Sequence, residues 1–315
     1  MDRTKRYAFI FLLITFCDVT SATWSYDPVK KSYANNYNWT LTAIPGDIPS
    51  DVQSVDISWN YCSNCTNIPS LSALTKLNLA YNQLTQFPDL RPVRSTLTSV
   101  DLKNNDISSV RSDYADLPAL LELVLESNRL DQFPNLTEMT SLETLKLSYN
   151  DIGYVPKELL TPLERLISLY MLETRISTLP DVYMPHLKNL YLRGNEPMTD
   201  LPVWTTLGQT VTHLILGQTN ISSAALRAMP NLVFFILDAA GLTSFPPVVD
   251  ANHKLQTFLL KCNKIGELPS NIFTALPNLT TFYVDDNLLE TFPDVTSTIP
   301  AHIDIRLVRV YSSYG

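Results

Sequence analysis

The chain has 315 residues, with 23 Lys and Arg against 31 Asp and Glu, and a formal net charge of −8 at pH 7. This acidic balance, without a basic tract, argues against nucleic acid as a partner. The 21 prolines against 8 glycines indicate tight, rigid corners rather than flexible loops.

Residues 1–22 have the order of a secretory signal peptide. Basic residues at positions 3, 5 and 6 precede an apolar run from Tyr7 to Cys17, and small residues near Ala22 suit a cleavage site. The apolar run is short for a membrane span. We therefore expect export with removal of residues 1–22, and an uncleaved anchor is the alternative.

Five N-x-[ST] motifs follow, and this motif accepts N-linked sugar in exported proteins. Their asparagines are Asn38, Asn64, Asn135, Asn220 and Asn278. Asparagine is abundant in this chain, so some of the motifs can arise by chance. Behind a signal peptide, five of them predict that at least some carry sugar.

A repeating pattern begins at Val52. Residues 142–152 read L-x-x-L-x-L-x-x-N-x-L, in which Leu145 and Leu147 alternate as in a strand and Asn150 turns the chain. One such unit cannot bury its own apolar face, so the units must stack. They begin every 21 to 24 residues, at Val52, Leu74, Leu97, Leu120, Leu142, Leu166, Leu187, Val211, Leu232, Leu255 and Leu279.

Over about residues 41 to 293 the pattern resembles the leucine-rich repeat family. The resemblance implies an α/β-type solenoid, a horseshoe with a concave parallel β-sheet and short irregular or 3₁₀ segments on the convex side. Residues 52–293 would form about 11 repeats and residues 294–315 a degenerate last strand or a truncated C-terminus.

Residues 23–51 are expected to form an N-terminal leader and cap. The segment from Leu41 to Val52 is similar to the link between the cap and the first repeat in extracellular animal members of the family. Cysteines are absent from this cap, so aromatic residues of the leader would cover the open end of the array. These residues are Trp24, Tyr26, Tyr33, Tyr37 and Trp39.

The asparagine that recurs in the repeats is expected to bond the main chain of its own turn and of the next one. In three repeats it is replaced, by Thr174, Thr219 and Ala240. Threonine can make part of these bonds and alanine none. The stretch 174–240 should therefore be the least regular part of the array, whether as a weak spot, as a hinge or without consequence.

Cys62 and Cys65 fall where other repeats place buried apolar residues such as Leu84 and Phe87. We interpret them as core residues, either bonded to each other or packed as thiols. Nothing nearby would depress a thiol pKa, and the chain has no second ligand pair for zinc. Cys262 should lie on the surface, either pairing with another chain or without consequence.

The sequence gives no support for catalysis. No histidine stands at ligand or triad spacing from a cysteine or an acid, and phosphate-binding glycine loops and nucleophile motifs are absent. Asp285 and Asp286 could hold calcium, but two adjacent surface acids are ordinarily just solvated. We therefore expect no enzymatic activity, no cofactor and no metal.

One residue of each repeat, between its two strand leucines, should point outward from the concave sheet. These residues are mostly polar from Asp56 to Lys146, and all are apolar or aromatic from Tyr170 onward. An exposed apolar surface of this kind predicts a ligand site. The predicted site consists of Tyr170, Leu172, Tyr191, Ile215, Phe234, Ile236, Leu259 and Tyr283. The alternative is a simple preference of strands for such residues, against which the polar first half argues.

The resemblance identifies an architecture far better than a function. We expect a secreted recognition module that binds a protein, or a glycan, on its concave face, and no nucleic acid. The alternative is the ectodomain of a membrane-anchored receptor or adhesion protein, and only in that case would a membrane be involved.

Overall fold

The computed structural model describes residues 25–34, 41–44, 46–114, 116–200, 203–221, 229–247, 254–291, 293 and 302–307. Within these ranges fourteen strands of three residues form one sheet, in which the order of the strands follows the chain. They are β1 Ser25–Asp27, β2 Ser32–Ala34, β3 Ser54–Asp56, β4 Lys76–Asn78, β5 Ser99–Asp101, β6 Glu122–Val124, β7 Thr144–Lys146, β8 Ser168–Tyr170, β9 Asn189–Tyr191, β10 His213–Ile215, β11 Phe234–Ile236, β12 Thr257–Leu259, β13 Thr281–Tyr283 and β14 Asp304–Arg306.

Every neighbouring pair from β2 to β14 is parallel. The predicted solenoid with a parallel sheet is therefore confirmed. Its core is continuous, and each residue that begins a repeat, from Val52 to Leu279, is at most 1% exposed. The repeat period read from the sequence is thus the period at which the core is built.

An asparagine ladder joins consecutive turns. Asn105 is typical: its amide nitrogen donates to the carbonyls of Leu79 and Leu102 at 3.0 Å, and its Oδ1 accepts from the amide of Leu84 at 3.0 Å. A buried amide therefore satisfies main-chain groups in two repeats at once, as the sequence predicted.

The ladder is interrupted where the sequence predicted. Thr174 retains part of it, since its hydroxyl donates to the carbonyl of Met171 at 3.0 Å and Asn195 Oδ1 accepts its amide at 3.0 Å. The hydroxyl of Thr219 is buried and makes no hydrogen bond within the part of the chain that the structure describes. Ala240 has no polar side chain, so the interruption is centred on the turns that follow β10 and β11.

The residue before each ladder position has a left-handed backbone, with φ of 58° at Trp59, 62° at Tyr149 and 77° at Gly194. A non-glycine residue in this conformation costs about 1 kcal/mol. We call these residues the left-handed column. It was not predicted, because its members share no chemical property that a sequence pattern could reveal. It comprises Trp59, Tyr81, Asn104, Ser127, Tyr149, Glu173, Gly194, Gln218, Ala239, Cys262 and Asp286.

Short helical segments return the chain along the convex side, as predicted. Among the described residues two are α-helical, Lys157–Leu160 and Ile272–Ala275, and three are 3₁₀, Arg91–Val93, Ser112–Tyr114 and Leu207–Gln209. Asp181 from the preceding repeat accepts the amide of Leu207 at 2.8 Å. Burial raises the pKa of this carboxyl, but hydrogen bonds from Leu207, Thr205 and Thr206 outweigh it, so its pKa is lowered.

The leader is more regular than its sequence suggested, because part of it forms the antiparallel hairpin of β1 and β2, and β2 continues the sheet into β3. Tyr33 is 6% exposed and Tyr26 packs against the core, as expected of a cap. Trp24, Tyr37 and Trp39 lie outside the described residues, as do residues 1–22. At the other end β14 pairs with β13, and the boundaries of leader, array and last strand remain predictions.

Candidate functional site

The third residues of consecutive strands lie side by side on the concave face, as the strand register shows. This row divides into a polar half on β3–β7 and an apolar half on β8–β13. In the order of the strands its members are Asp56, Asn78, Asp101, Val124, Lys146, Tyr170, Tyr191, Ile215, Ile236, Leu259 and Tyr283.

Hydrogen bonds and ion pairs organise the polar half. Asp101 Oδ1 accepts the amide of Lys103 at 2.9 Å, and burial raises the pKa of this carboxyl. Lys103 Nζ lies 3.0 Å from Glu126, and Lys146 Nζ lies 2.9 Å from Glu122. The polar groups of this surface are therefore largely engaged with one another.

Val124 departs from the expected outward exposure, since it is only 6% exposed. Glu122 and Glu126 stand two residues before and after it on the same face, so their ion pairs with lysines straddle its side chain. The alternation of the strand is as predicted, and Val124 lies between two positions whose glutamates form ion pairs.

The apolar half forms a continuous row that we call the apolar stripe. It consists of Tyr170, Tyr191, Ile215, Ile236, Leu259 and Tyr283, each half-buried. Adjacent strands lie about 4.8 Å apart, so six strands give the stripe a length of about 24 Å. Side chains pack along it: the rings of Tyr170 and Tyr191 stack with centroids 4.3 Å apart. Burial raises the pKa of Tyr191.

Two further predicted site residues adjoin the stripe. Leu172 follows β8 on the same face, and Phe234 begins β11; both are half-buried. The ring of Phe234 stacks on His213 of β10 with a centroid distance of 5.6 Å. All eight residues predicted to bind a ligand are thus gathered on the concave face of β8–β13 or directly beside it.

Cations border the stripe at both ends. Lys146 Nζ lies 5.8 Å from the ring centre of Tyr170. At the other end Lys261 and Arg306 lie on Tyr283, at 4.6 and 4.4 Å from its ring centre. The Tyr283 hydroxyl donates to Asp304, and this hydrogen bond raises the pKa of the tyrosine. The stripe therefore ends at cation–π contacts on both sides.

The positions that follow the strands form a polar margin along one side of the stripe. Asp238 Oδ1 accepts the amide of Lys261 at 2.8 Å, and burial raises the pKa of Asp238. Lys261 Nζ lies 3.7 Å from Asp285. Arg193 Nε donates to Gln218 at 3.1 Å. The stripe is therefore narrow, about one residue wide over most of its length.

The cysteines lie where the register placed them. Cys62 and Cys65 are fully buried and joined by a disulfide, which settles the two alternatives for this pair. Cys262 is exposed, and its sulfur lies 3.9 Å from Asp286 Oδ2. Burial, followed by the charge of Asp286, raises the pKa of this thiol. Across the described ranges, His, Cys, Asp and Glu residues form no group of three suited to a metal.

The glycosylation motifs lie away from the strands. Asn64, Asn220 and Asn278 are exposed, and Asn135 is half-buried with its Oδ1 accepting from the Thr137 hydroxyl at 2.9 Å. Asn38 lies outside the described residues. Sugar at the four described positions remains a prediction, and none of the four is a member of the apolar stripe.

A cleft of ≈ 870 Å³ opens beside the stripe, at the carboxyl ends of β8–β11. Sequence reasoning missed it, because it is lined by turn residues of four different repeats. Its lining includes Glu173, Arg175, Glu196, Gln218, Thr219 and Asn220. The replaced ladder positions were the signal that could have pointed to this region.

A family model described as "Leucine rich repeat" matches residues 95–152. "Leucine-rich repeats and immunoglobulin-like domains protein 3" of Homo sapiens is 27% identical over 154 residues, which are 48% of this chain and 12% of that protein. Lumican of Mus musculus is 35% identical over 183 residues, which are 56% of this chain and 52% of lumican. The chain therefore spans about half of lumican and a much smaller share of the human protein.

Solved structures share the fold at low identity. The LRR protein LIC12759 of Leptospira interrogans has a TM-score of 0.69 at 22% identity, covering 84% of this chain and 75% of that one. Toll in its complex with Spatzle, from Drosophila, has a TM-score of 0.68 at 20% identity, covering 82% and 37%. Similarity at this level supports the shared fold alone. Along the described part of the chain, no helix has the length and apolar character needed to cross a membrane.

Proposed function

The chain belongs to the leucine-rich repeat family, and on that premise we propose that it is a recognition module that binds a protein partner through the apolar half of its concave face. The Toll–Spatzle complex is a precedent for a protein partner on this fold. The apolar stripe supports the location of the site, because exposed apolar rows with tyrosine are favoured at interfaces.

The observation that carries the proposal is the contrast along one row. Asp56, Asn78 and Asp101 occupy the same register position as Tyr191, Ile215 and Ile236. The fold therefore accepts polar side chains there, and its stability does not require apolar ones. A binding site for a partner would explain why six neighbouring strands all carry an apolar or aromatic residue at this position.

The partner is proposed to be a protein rather than a nucleic acid. The cations beside the stripe are engaged within the chain. Lys146 pairs with Glu122 and Lys261 with Asp285. Arg193 donates to Gln218, and Arg306 lies on the ring of Tyr283. A phosphate backbone needs unpaired cations along its path. An apolar stripe about 24 Å long instead suits side chains from one face of a protein.

We also propose that the chain acts outside the cell and recognises rather than catalyses. The signal-like residues 1–22 and the sugar-accepting motifs favour export, and the Cys62–Cys65 disulfide is typical of an oxidising compartment. The same site would serve a free secreted protein or the ectodomain of a receptor, since both present the concave face to solvent.

The proposal is tested with secreted protein screened against an array of purified extracellular proteins. Ile215→Glu with Ile236→Glu should weaken binding of any partner by about 100-fold, because it places two charges in the centre of the stripe. Asn78→Ala with Asp101→Ala is the control in the polar half and should leave affinity within about twofold. If the isoleucine pair has no effect and the control pair abolishes binding, the site lies in the polar half.

A further inference from the structure

The cleft beside the stripe opens at the interrupted part of the ladder. Gly194 and Ala239, in the left-handed column, contribute little side chain where Trp59, Tyr81 and Tyr149 stand in other repeats. The interruption at Thr219 removes a ladder amide from the same turns. The open space and the missing side chain to main chain hydrogen bonds therefore occur in the same turns.

The lining of the cleft mixes donors with acceptors. Glu173 and Glu196 offer carboxylates, while Arg175 offers a guanidinium that also pairs with Asp151 at 3.1 Å. The Glu173 side chain lies over Gly194, since a Cβ on that glycine would stand 2.6 Å from Glu173 Cγ. A sugar hydroxyl donates one hydrogen bond and accepts others, so a mixed lining suits a polyhydroxyl ligand.

Asn220 places such a ligand at the cleft. It is the asparagine of an N-x-[ST] motif, it is exposed, and it lines the cleft. Its Nδ2 donates to the carbonyl of Glu196 at 2.9 Å, which holds the amide against the wall. One N–H makes that bond, and the other is available for attachment. A sugar attached here is held at high effective concentration, so weak contacts with the lining suffice.

A buried group beneath the cleft is also unsatisfied. Thr219, which is 3% exposed, contributes to the lining, and its hydroxyl has no hydrogen-bond partner among the described residues. Buried hydroxyls without partners are uncommon in native proteins, so this one requires an explanation. The turns that follow β9 and β10 thus lack the ladder amide that would join them, and Asn220 stands at this point.

We propose that the N-linked glycan of Asn220 folds back into this cleft and that its first sugars bridge the turns after β8, β9 and β10, contacting Glu173, Glu196 and Gln218. The glycan would take over the bridging role of the missing ladder asparagine. The inference rests on the export included in the proposed function. Attachment transfers the glycosyl group from a polyprenyl pyrophosphate donor: the bond from C1 to the phosphate oxygen breaks, the bond from C1 to Nδ2 forms, and the amide loses one proton.

The experiment uses protein secreted from animal cells, with Ser222→Ala to remove the Asn220 sugar while keeping its amide. Asn278→Gln is the matched control, because Asn278 is an exposed acceptor elsewhere in the array. Under native conditions a peptide N-glycanase should release the Asn220 glycan about tenfold more slowly than the Asn278 glycan, since its linkage lies in the cleft.

Thermal unfolding and hydrogen exchange provide the second measurement. Ser222→Ala should lower Tm by about 2–4 °C and speed exchange in residues 194–198 and 216–221, whereas Asn278→Gln should do neither. The same Ser222→Ala change in sugar-free protein from bacteria should leave Tm unchanged, which separates the glycan from the side chain.

Equal release rates at the two sites, with unchanged exchange in Ser222→Ala, would overturn the inference. A secreted protein with sugar at other motifs and none at Asn220 would also overturn it, while export would stand. A chain that is not secreted and carries no sugar at all would remove the export on which both proposals depend.

Discussion

The polar and apolar halves of the concave face are built on the same repeat. They differ in the polarity of their exposed side chains and in the asparagine ladder of the turns that follow their strands. In the polar half the ladder positions are all asparagine, from Asn82 to Asn150. In the apolar half the ladder is interrupted at Thr219 and Ala240, directly behind Ile215 and Ile236 of the stripe. The repeat therefore specifies the core and leaves both the concave surface and the ladder free to vary.

The apolar stripe and the interruption of the ladder occur in the same repeats, which has a physical consequence for the proposed binding. Segments with fewer side chain to main chain hydrogen bonds open locally at a lower free energy. The turns that follow β10 and β11 should therefore adjust to the proposed partner at a lower cost than those of the polar half. Side-chain packing, such as the Tyr170–Tyr191 stack, maintains the surface itself.

The largest effect is expected from breaking the ladder in the polar half. Asn105→Ala removes three hydrogen bonds of 3.0 Å, at a cost of about 4 kcal/mol. The buried amide of Leu84 loses its acceptor, while the carbonyls of Leu79 and Leu102 keep the bonds from Asn82 and Asn128. Urea unfolding measures the change. A loss below about 1 kcal/mol would show that the ladder is not what distinguishes the two halves.

The disulfide belongs to the polar half and should contribute the next largest effect. Cys62→Ala with Cys65→Ala removes a crosslink and two fully buried sulfurs, which predicts a loss of about 3 kcal/mol. Binding through the apolar half should persist at temperatures where the fold survives. Unchanged stability together with lost binding would mean that the pair belongs to a binding site.

Sequence reasoning predicted the core and the concave row because both follow from periodicity. Leu145 and Lys146 are neighbours in sequence, yet strand alternation alone assigns one to the core and the other to the surface. The interruption at Thr219 was predictable for a similar reason, because the hydrogen-bonding capacity of a side chain follows from its type.

What escaped prediction depends on distances between repeats. The cleft is lined by Glu173, Glu196 and Gln218, which are more than 20 residues apart in sequence and meet through stacking alone. The hairpin of β1 and β2 was missed because Tyr26 and Tyr33 show no period until β3 provides a strand to pair with. Val124 is buried although it lies on the outward side of its strand, which the alternation of one strand cannot reveal.

A smaller effect is expected at Asp181, which holds the start of the convex 3₁₀ segment Leu207–Gln209 in the apolar half. Asp181 accepts from Thr205, Thr206 and Leu207 and has a lowered pKa, so its contribution is complete above the unfolded pKa of about 3.9 and is lost as the pH falls through the folded value. Asp181→Asn should cost about 1 kcal/mol at pH 6, and the difference from wild type should shrink below pH about 3.9. Asp131→Asn, at an exposed position, is the control for the loss of one carboxylate and should change stability by less than about 0.5 kcal/mol at pH 6. A constant difference between pH 6 and pH 2.5 would contradict this assignment.

The smallest expected effect gives the most specific test. The same substitution at two ladder positions should change the free energy of unfolding in opposite directions. Thr219→Val replaces a buried hydroxyl that has no partner in the described part of the chain, so unfolding in urea should become harder by about 0.5–1 kcal/mol. Thr174→Val removes a hydroxyl that donates to Met171, so it should destabilise by about 1 kcal/mol. The two residues are both at most 3% exposed, so differences in burial cannot produce the contrast. Equal losses at both positions would show that the Thr219 hydroxyl is satisfied in solution, and the interruption of the ladder would then be confined to Ala240.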